Sequence, residues 1–128
     1  MQRQSGFTTV ELISAVLLIL ILVTLSLTRE SNSASISRDV KRKTAINAMY
    51  YNLEEVFYRT NKYYPLKLDA NKLSAMDPAL LKDPRGSMIG EQASEYRYEP
   101  VGCSVDKCTG YTLRADLERE SDYTKRNR

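Results

Sequence analysis

The chain has 128 residues, room for one domain of ordinary size, and a formal net charge of only +3. It contains no histidine, which removes Ser–His and Cys–His nucleophile pairs, imidazole acid–base chemistry and most zinc or iron ligation. Hydrophobic residues make up 42 % of it, and residues 7–27 hold a large share, so the rest must build a small core that needs extra support.

From Phe7 to Leu27 the chain reads FTTVELISAVLLILILVTLSL. As a helix this run is roughly 31 Å long at about 1.5 Å per residue, enough to span the core of a bilayer. A cleaved secretory signal is the competing reading, but its apolar region runs about 7–15 residues and ends at a small-x-small site. Here the apolar block from Leu12 to Leu27 passes straight into Thr28-Arg29-Glu30, with only a poor candidate site near Ser33-Ala34-Ser35. A retained helix is expected. Its one charge, Glu11, lies near the start, where it costs less than the about 2.5–3.5 kcal/mol of a central position but still needs compensation. Either it lies in the interface and favours the helix N-terminal dipole, or a partner neutralises it.

Beyond this run, Ile36, Val40, Ile46, Met49, Leu53, Val56 and Phe57 recur mostly three and four apart, as one helical stripe. Arg38, Lys41, Arg42, Asn52, Glu55, Arg59 and Lys62 fall largely on the other side. No Pro or Gly occurs between Phe7 and Tyr64, so the two segments read as one helix from about Thr8 to Thr60, weakest at Ser31-Asn32-Ser33 and stopping before Pro65. Residues 29–68 carry eight basic against four acidic groups. We read that excess as a solvated helix face, with a nucleic-acid contact as the weakly supported alternative.

Residues 66–90 carry Asp77-Pro78, Asp83-Pro84, Arg85-Gly86 and Gly90, turn signals that predict an irregular connection with a short helical turn. EYRYEPV (Glu95–Val101) and TGYTLRADLE (Thr109–Glu118) then alternate aromatic or aliphatic residues with charged ones, the period of half-buried strands. Tyr96, Tyr98, Tyr111, Leu113, Ala115 and Leu117 are expected to face the helix, and Arg97, Glu99, Thr112, Arg114, Asp116 and Glu118 to face water. The tail SDYTKRNR is polar and is expected to fray. Cys103 and Cys108 flank Ser104-Val105-Asp106-Lys107 between the two strands. Two thiolates without histidine are too few for a structural zinc site, and the spacing is not Cys-x-x-Cys. A disulfide stapling a hairpin tip is expected, free thiols being the alternative; loop-closure scaling gives it roughly 2 kcal/mol and places it in an oxidising compartment. There is no Gly-rich phosphate loop and no nucleophile with an evident base, so no catalytic residue and no cofactor is expected, and the protein reads as a non-enzyme.

The N-terminal pattern carries a family resemblance. SGFTTVELISAVLLILILVTLSL, with a short basic leader ending in Gly6, then Phe7, then Glu11 at the fifth position after the Gly6-Phe7 junction, resembles the processing and assembly segment of type IV prepilins and type II secretion pseudopilins. NLEEVFYRTNKYYP resembles the end of the long pilin helix, and DPRG followed by EYRYEP and GYTLRADLE resembles the compact heads of small pilins and major pseudopilins. The resemblance implies an α+β, pilin-like fold: a long N-terminal helix, membrane-spanning and then amphipathic, packed on a small antiparallel sheet. Its divisions are a leader (residues 1–6), a transmembrane or filament-core helix (7–28), an amphipathic continuation (29–64), a connecting αβ loop (65–94) and a β-sheet head with polar tail (95–128).

The resemblance also implies roles for individual residues. A prepilin peptidase cuts between Gly6 and Phe7, and the new Phe7 amine is the N-methylation site. Glu11 attracts the Phe7 amine of a neighbouring subunit inside the apolar bundle. The partners are copies of this chain and related pilins in a helical filament, the peptidase, and the assembly platform with its ATPase; the membrane holds the precursor as a single-pass protein before it joins an extracellular or periplasmic filament. A pseudopilin of a secretion or DNA-uptake system is the alternative within the class, and a monomeric membrane-anchored binding ectodomain the alternative outside it. Many pilins carry a Pro near the membrane exit of the first helix, where this chain has Thr28. The basic residues after the helix favour a cytoplasmic C-terminus by the positive-inside rule, whereas the resemblance implies the opposite orientation. Some major pseudopilins bind calcium in a C-terminal loop, yet Asp116, Glu118, Glu120 and Asp122 read first as the wet face of a strand, and no metal is expected.

Overall fold

A computed structural model describes residues 8–128, with residues 27–31 described by their backbone only. The chain is α+β, an apolar N-terminal helix with further helical segments and a small antiparallel sheet. It divides into two compact units, residues 1–34 and 35–128.

Helix α1 (Thr9–Tyr51) contributes to both units. Thr8 caps it: the Thr8 carbonyl accepts from Leu12 N–H (3.1 Å) and Thr8 Oγ1 accepts from Glu11 N–H (3.3 Å). Thr followed three residues later by Glu, just before an apolar run, is the pattern of a capping box. With no Pro or Gly to interrupt it, the backbone stays helical through Ser31-Asn32-Ser33, the expected weak point. In the first unit the large apolar side chains of Val10–Leu25 are exposed on every side of the helix.

The second unit is built around the sheet β1 (Tyr64–Pro65), β2 (Tyr96–Ser104), β3 (Lys107–Ala115) and β4 (Tyr123–Arg126), all pairings antiparallel. β3 is central. β2 runs along one side of it from Tyr96↔Ala115 to Ser104↔Lys107, while β1 (Tyr64↔Cys108) and β4 (Ala115↔Tyr123) share the other. The alternation read from the sequence holds: Tyr96, Tyr111, Leu113 and Ala115 are buried and Tyr98 is half-buried. The tail does not fray. It forms β4 because its polar groups find partners, Asn127 Oδ1 accepting from Tyr111 N–H (3.1 Å) and Tyr123 OH donating to Asn47 Oδ1 (3.0 Å).

The helical face that meets this sheet differs from the expected stripe. Ser35, Asp39, Arg42, Ala45, Ile46 and Met49 are buried, whereas Ile36 and Val40 point outward, 52 % and 58 % exposed. Arg42, expected on the wet side, is fully buried. The reason lies in the partner surface, since the segment after β3 presents backbone N–H groups that a carboxylate satisfies and an aliphatic side chain could not. After Tyr51 the coil widens into a π-helical segment (Asn52–Tyr58) before one last α turn, α2 (Arg59–Asn61). A π turn holds more residues than an α turn and so rotates the residues beyond it about the helix axis. Asn52, Leu53 and Glu54 are consecutively buried, and Val56, expected inward, is exposed. The core therefore joins Ala45, Ile46, Met49 and Leu53 to Tyr64, Leu73, Leu81 and the inner face of β2 and β3. The connection between β1 and β2 contains one short helical turn, Pro78–Leu81, capped by Asp77, and Asp83 gathers the N–H groups of Arg85, Ser87 and Glu95 around the DPRG turn.

Candidate functional site

Gly6 and Phe7 lie outside the described residues. Glu11 lies in the first turn of α1, exposed, the single charge of Thr9–Ser26, the one helical window among the described residues long and apolar enough to cross a membrane. Three hydroxyls of that window are satisfied internally: Ser14 Oγ donates to Glu11 O, Thr24 Oγ1 to Ile21 O and Ser26 Oγ to Leu22 O, each at 2.9 Å. A hydroxyl bonded to its own helix does not face hydrocarbon unpaired, which is what a lipid environment demands.

The other sequence-derived site residues belong to the second unit. Cys103 and Cys108 are register partners in the β2–β3 hairpin, their Cα atoms 3.9 Å apart, and form a disulfide. Behind the tip, Gly102 has φ +63°, and a Cβ there would collide with Thr109 Oγ1, so this position requires glycine.

Arg38, Arg42 and Glu118, which the sequence placed on the polar side, form the anchor of helix to sheet together with Asp39. Asp39 Oδ1 and Oδ2 accept from the backbone N–H groups of Glu118 and Arg119, each at 2.9 Å. Arg42 Nη1 donates to Asp39 Oδ1 (3.1 Å) and Glu118 Oε1 (3.0 Å). Arg38 grips Glu118 with both arms, at 2.7 and 2.6 Å, and Arg85 Nη2 lies 3.3 Å from it. Hydrogen bonding from Arg38, with the charge of Arg42 behind it, lowers the Glu118 carboxyl to about 2. A second buried carboxylate, Glu54, accepts from Tyr111 OH (2.8 Å) and Tyr64 OH (3.1 Å). Burial first and that carboxylate second raise both phenols well above their ordinary range, so they remain donors. Asp39 and Arg42 were detectable in principle, because they continue the spacing of Ile46 and Met49 toward the N-terminus. Glu54 was not, because the π segment brings it inward.

Nothing in the head gathers reactive groups. Glu54 borders an open cleft of about 270 Å³ shared with Glu55, Arg59, Lys62 and Arg128, where Arg59 and Arg128 both pair with Glu55. Among the described residues no group of three or more metal-ligating side chains converges. The acidic residues considered for calcium are held by cations instead: Asp116 by Arg97 and Arg114, Glu118 by the three arginines, Glu120 by Lys43 and Asp122 by Arg114. Comparison with protein-family models, curated proteins and solved structures found no match for this chain.

Proposed function

We propose that this chain is a structural subunit of a type IV pilus or related pseudopilus, processed at Gly6-Phe7 and assembled through residues 7–28 after release from the membrane. The observation that carries the reading is the helix window Thr9–Ser26, apolar on all sides, with its hydroxyls folded back and one carboxylate near its start. A helix apolar all round must be covered, by lipid or by other helices. Copies of the same helix cover one another equally well, and an amine beside Glu11 would neutralise the one charge in the bundle. The disulfide fits a head that matures outside the cytoplasm.

A second reading has an observation of its own. Glu11 stands at the third helical position with its N–H capped by Thr8 Oγ1, the sequence pattern of a capping box, so its carboxylate could serve the helix end of a membrane-anchored monomer and nothing else. Mass measurement on the membrane-derived chain, with imaging of sheared surface fractions, separates the two. Loss of the six-residue leader and filaments containing this chain are expected of a pilin; an intact Met1 start in membrane-bound monomers would overturn that reading.

A further inference from the structure

The two halves of the disulfide differ in what can reach them. Cys103 stands near the end of β2, which among the described residues pairs only with β3 and so forms one edge of the sheet, and it is exposed together with its neighbours from Val101 to Lys107. Cys108 lies on β3 with Cys103 across from it on one side and Tyr64 of β1 on the other. It belongs to the core cluster and is 1 % exposed. Almost no surface of Cys108 is left for a reagent to meet.

Thiol–disulfide exchange is an in-line displacement at sulfur, so the incoming group approaches one sulfur from the side away from the other. In the folded head that approach is open at Cys103 and blocked at Cys108. The leaving groups are unequal as well. Attack on Cys103 expels the Cys108 thiolate into the core, where a thiolate is poorly solvated and departs slowly.

We propose that Cys103 is the exchange sulfur of the head and Cys108 its resolving sulfur, the co-reactant being an external disulfide. In the reduced head the Cys103 thiolate attacks one sulfur of that disulfide; a mixed disulfide forms at Cys103 and the other external sulfur leaves as a thiolate. Cys108 then gives up its proton and attacks Cys103 Sγ, closing the Cys103–Cys108 bond and expelling the second external thiolate. Two thiols of the head are oxidised, one external disulfide is reduced, and the two protons pass to the external sulfurs. Because the two cysteines are register partners, the second step is intramolecular and follows quickly on the first. The staple can therefore close in a head whose sheet is already assembled, through the one sulfur that stays outside. The assignment concerns the head alone and applies equally to a filament subunit and to an anchored monomer.

The test starts from the oxidised full-length chain in detergent micelles, treated with reduced glutathione, quenched in acid, then unfolded and alkylated with N-ethylmaleimide. Trypsin cuts after Lys107 and separates the cysteines, Cys103 in the peptide Tyr98–Lys107 and Cys108 in Cys108–Arg114. Glutathione is expected on the first peptide and N-ethylmaleimide on the second; glutathione on the second, or equally on both, would overturn the proposal. Single variants give an independent arm with glutathione disulfide as the probe. Cys108→Ser should take up one glutathione, and Cys103→Ser should do so at least about tenfold more slowly until denaturant makes the two alike. Equal rates from two variants that both keep a cooperative thermal transition would also sink it. Should Cys103→Ser lose that transition, the peptides of the unsubstituted chain alone decide.

Discussion

Asp39 is a helix residue acting as a cap for a chain segment about eighty positions away. Its two oxygens hold the N–H groups of Glu118 and Arg119 while Arg42, fully buried, leans on it from one turn further along α1. Removing this carboxylate leaves two backbone donors and part of a guanidinium without acceptors. Asp39→Ala should therefore destabilise the head by about 3–5 kcal/mol, the range for breaking a buried pair from one side, and Asp39→Asn by less because one acceptor survives. Denaturant unfolding followed through the tyrosine near-ultraviolet signal measures both. Glu118 makes a pH prediction. Its carboxyl is lowered in the folded head, from an ordinary value of 4.5 to about 2, so the ionised form favours folding. That contribution is fully present above about pH 4.5 and is lost as pH falls toward 2. The thermal midpoint should decline across this window, and Glu118→Gln should flatten that part of the profile.

The helix and the hairpin differ in how openly the sequence displays them. In β2 and β3 the inner residues are aromatic or aliphatic and the outer ones polar, so periodicity was enough to orient both strands. In α1 two apolar stripes compete: Ile36 and Val40 continue a plausible face by spacing, but the sheet selects the neighbouring face through Asp39 and Arg42. Hydrophobicity cannot report a face chosen by buried charge. The π segment adds a second concealment, because nothing in NLEEVFY marks the change of winding that buries Glu54 and turns Val56 out. β4 was missed for a related reason. Its polar residues are satisfied by Asn47 and by the β3 backbone, partners a local reading does not see. The corrected face predicts contrasting truncations: Ile46→Ala should cost about 2–5 kcal/mol, whereas Ile36→Ala should stay within about 0.5 kcal/mol in the isolated subunit.

For the whole molecule, the question is what covers an apolar helix with a carboxylate near one end. If Glu11 only finishes the helix, Glu11→Gln is nearly silent, because an amide serves a capping box as well. If it neutralises an incoming amine, both Glu11→Gln and Glu11→Val should be expressed, processed and folded normally yet enter filaments poorly, since an unpaired charge in an apolar bundle is strongly unfavourable. Filament recovery from cells whose only subunit carries either change decides between these outcomes. The sequence showed this helix and its one charge plainly, because long apolar runs are conspicuous; a partner for that carboxylate on another molecule would leave no mark in the sequence of one chain.

The hydroxyls of Ser14, Thr24 and Ser26 are already engaged with their own turns, so a helix packed against α1 there would meet shape and no sideways hydrogen-bond teeth from these three side chains. A rope of such helices would have little to ratchet against under tension. Such a rope should lengthen by smooth slippage and should splice in foreign strands wherever their girth matches.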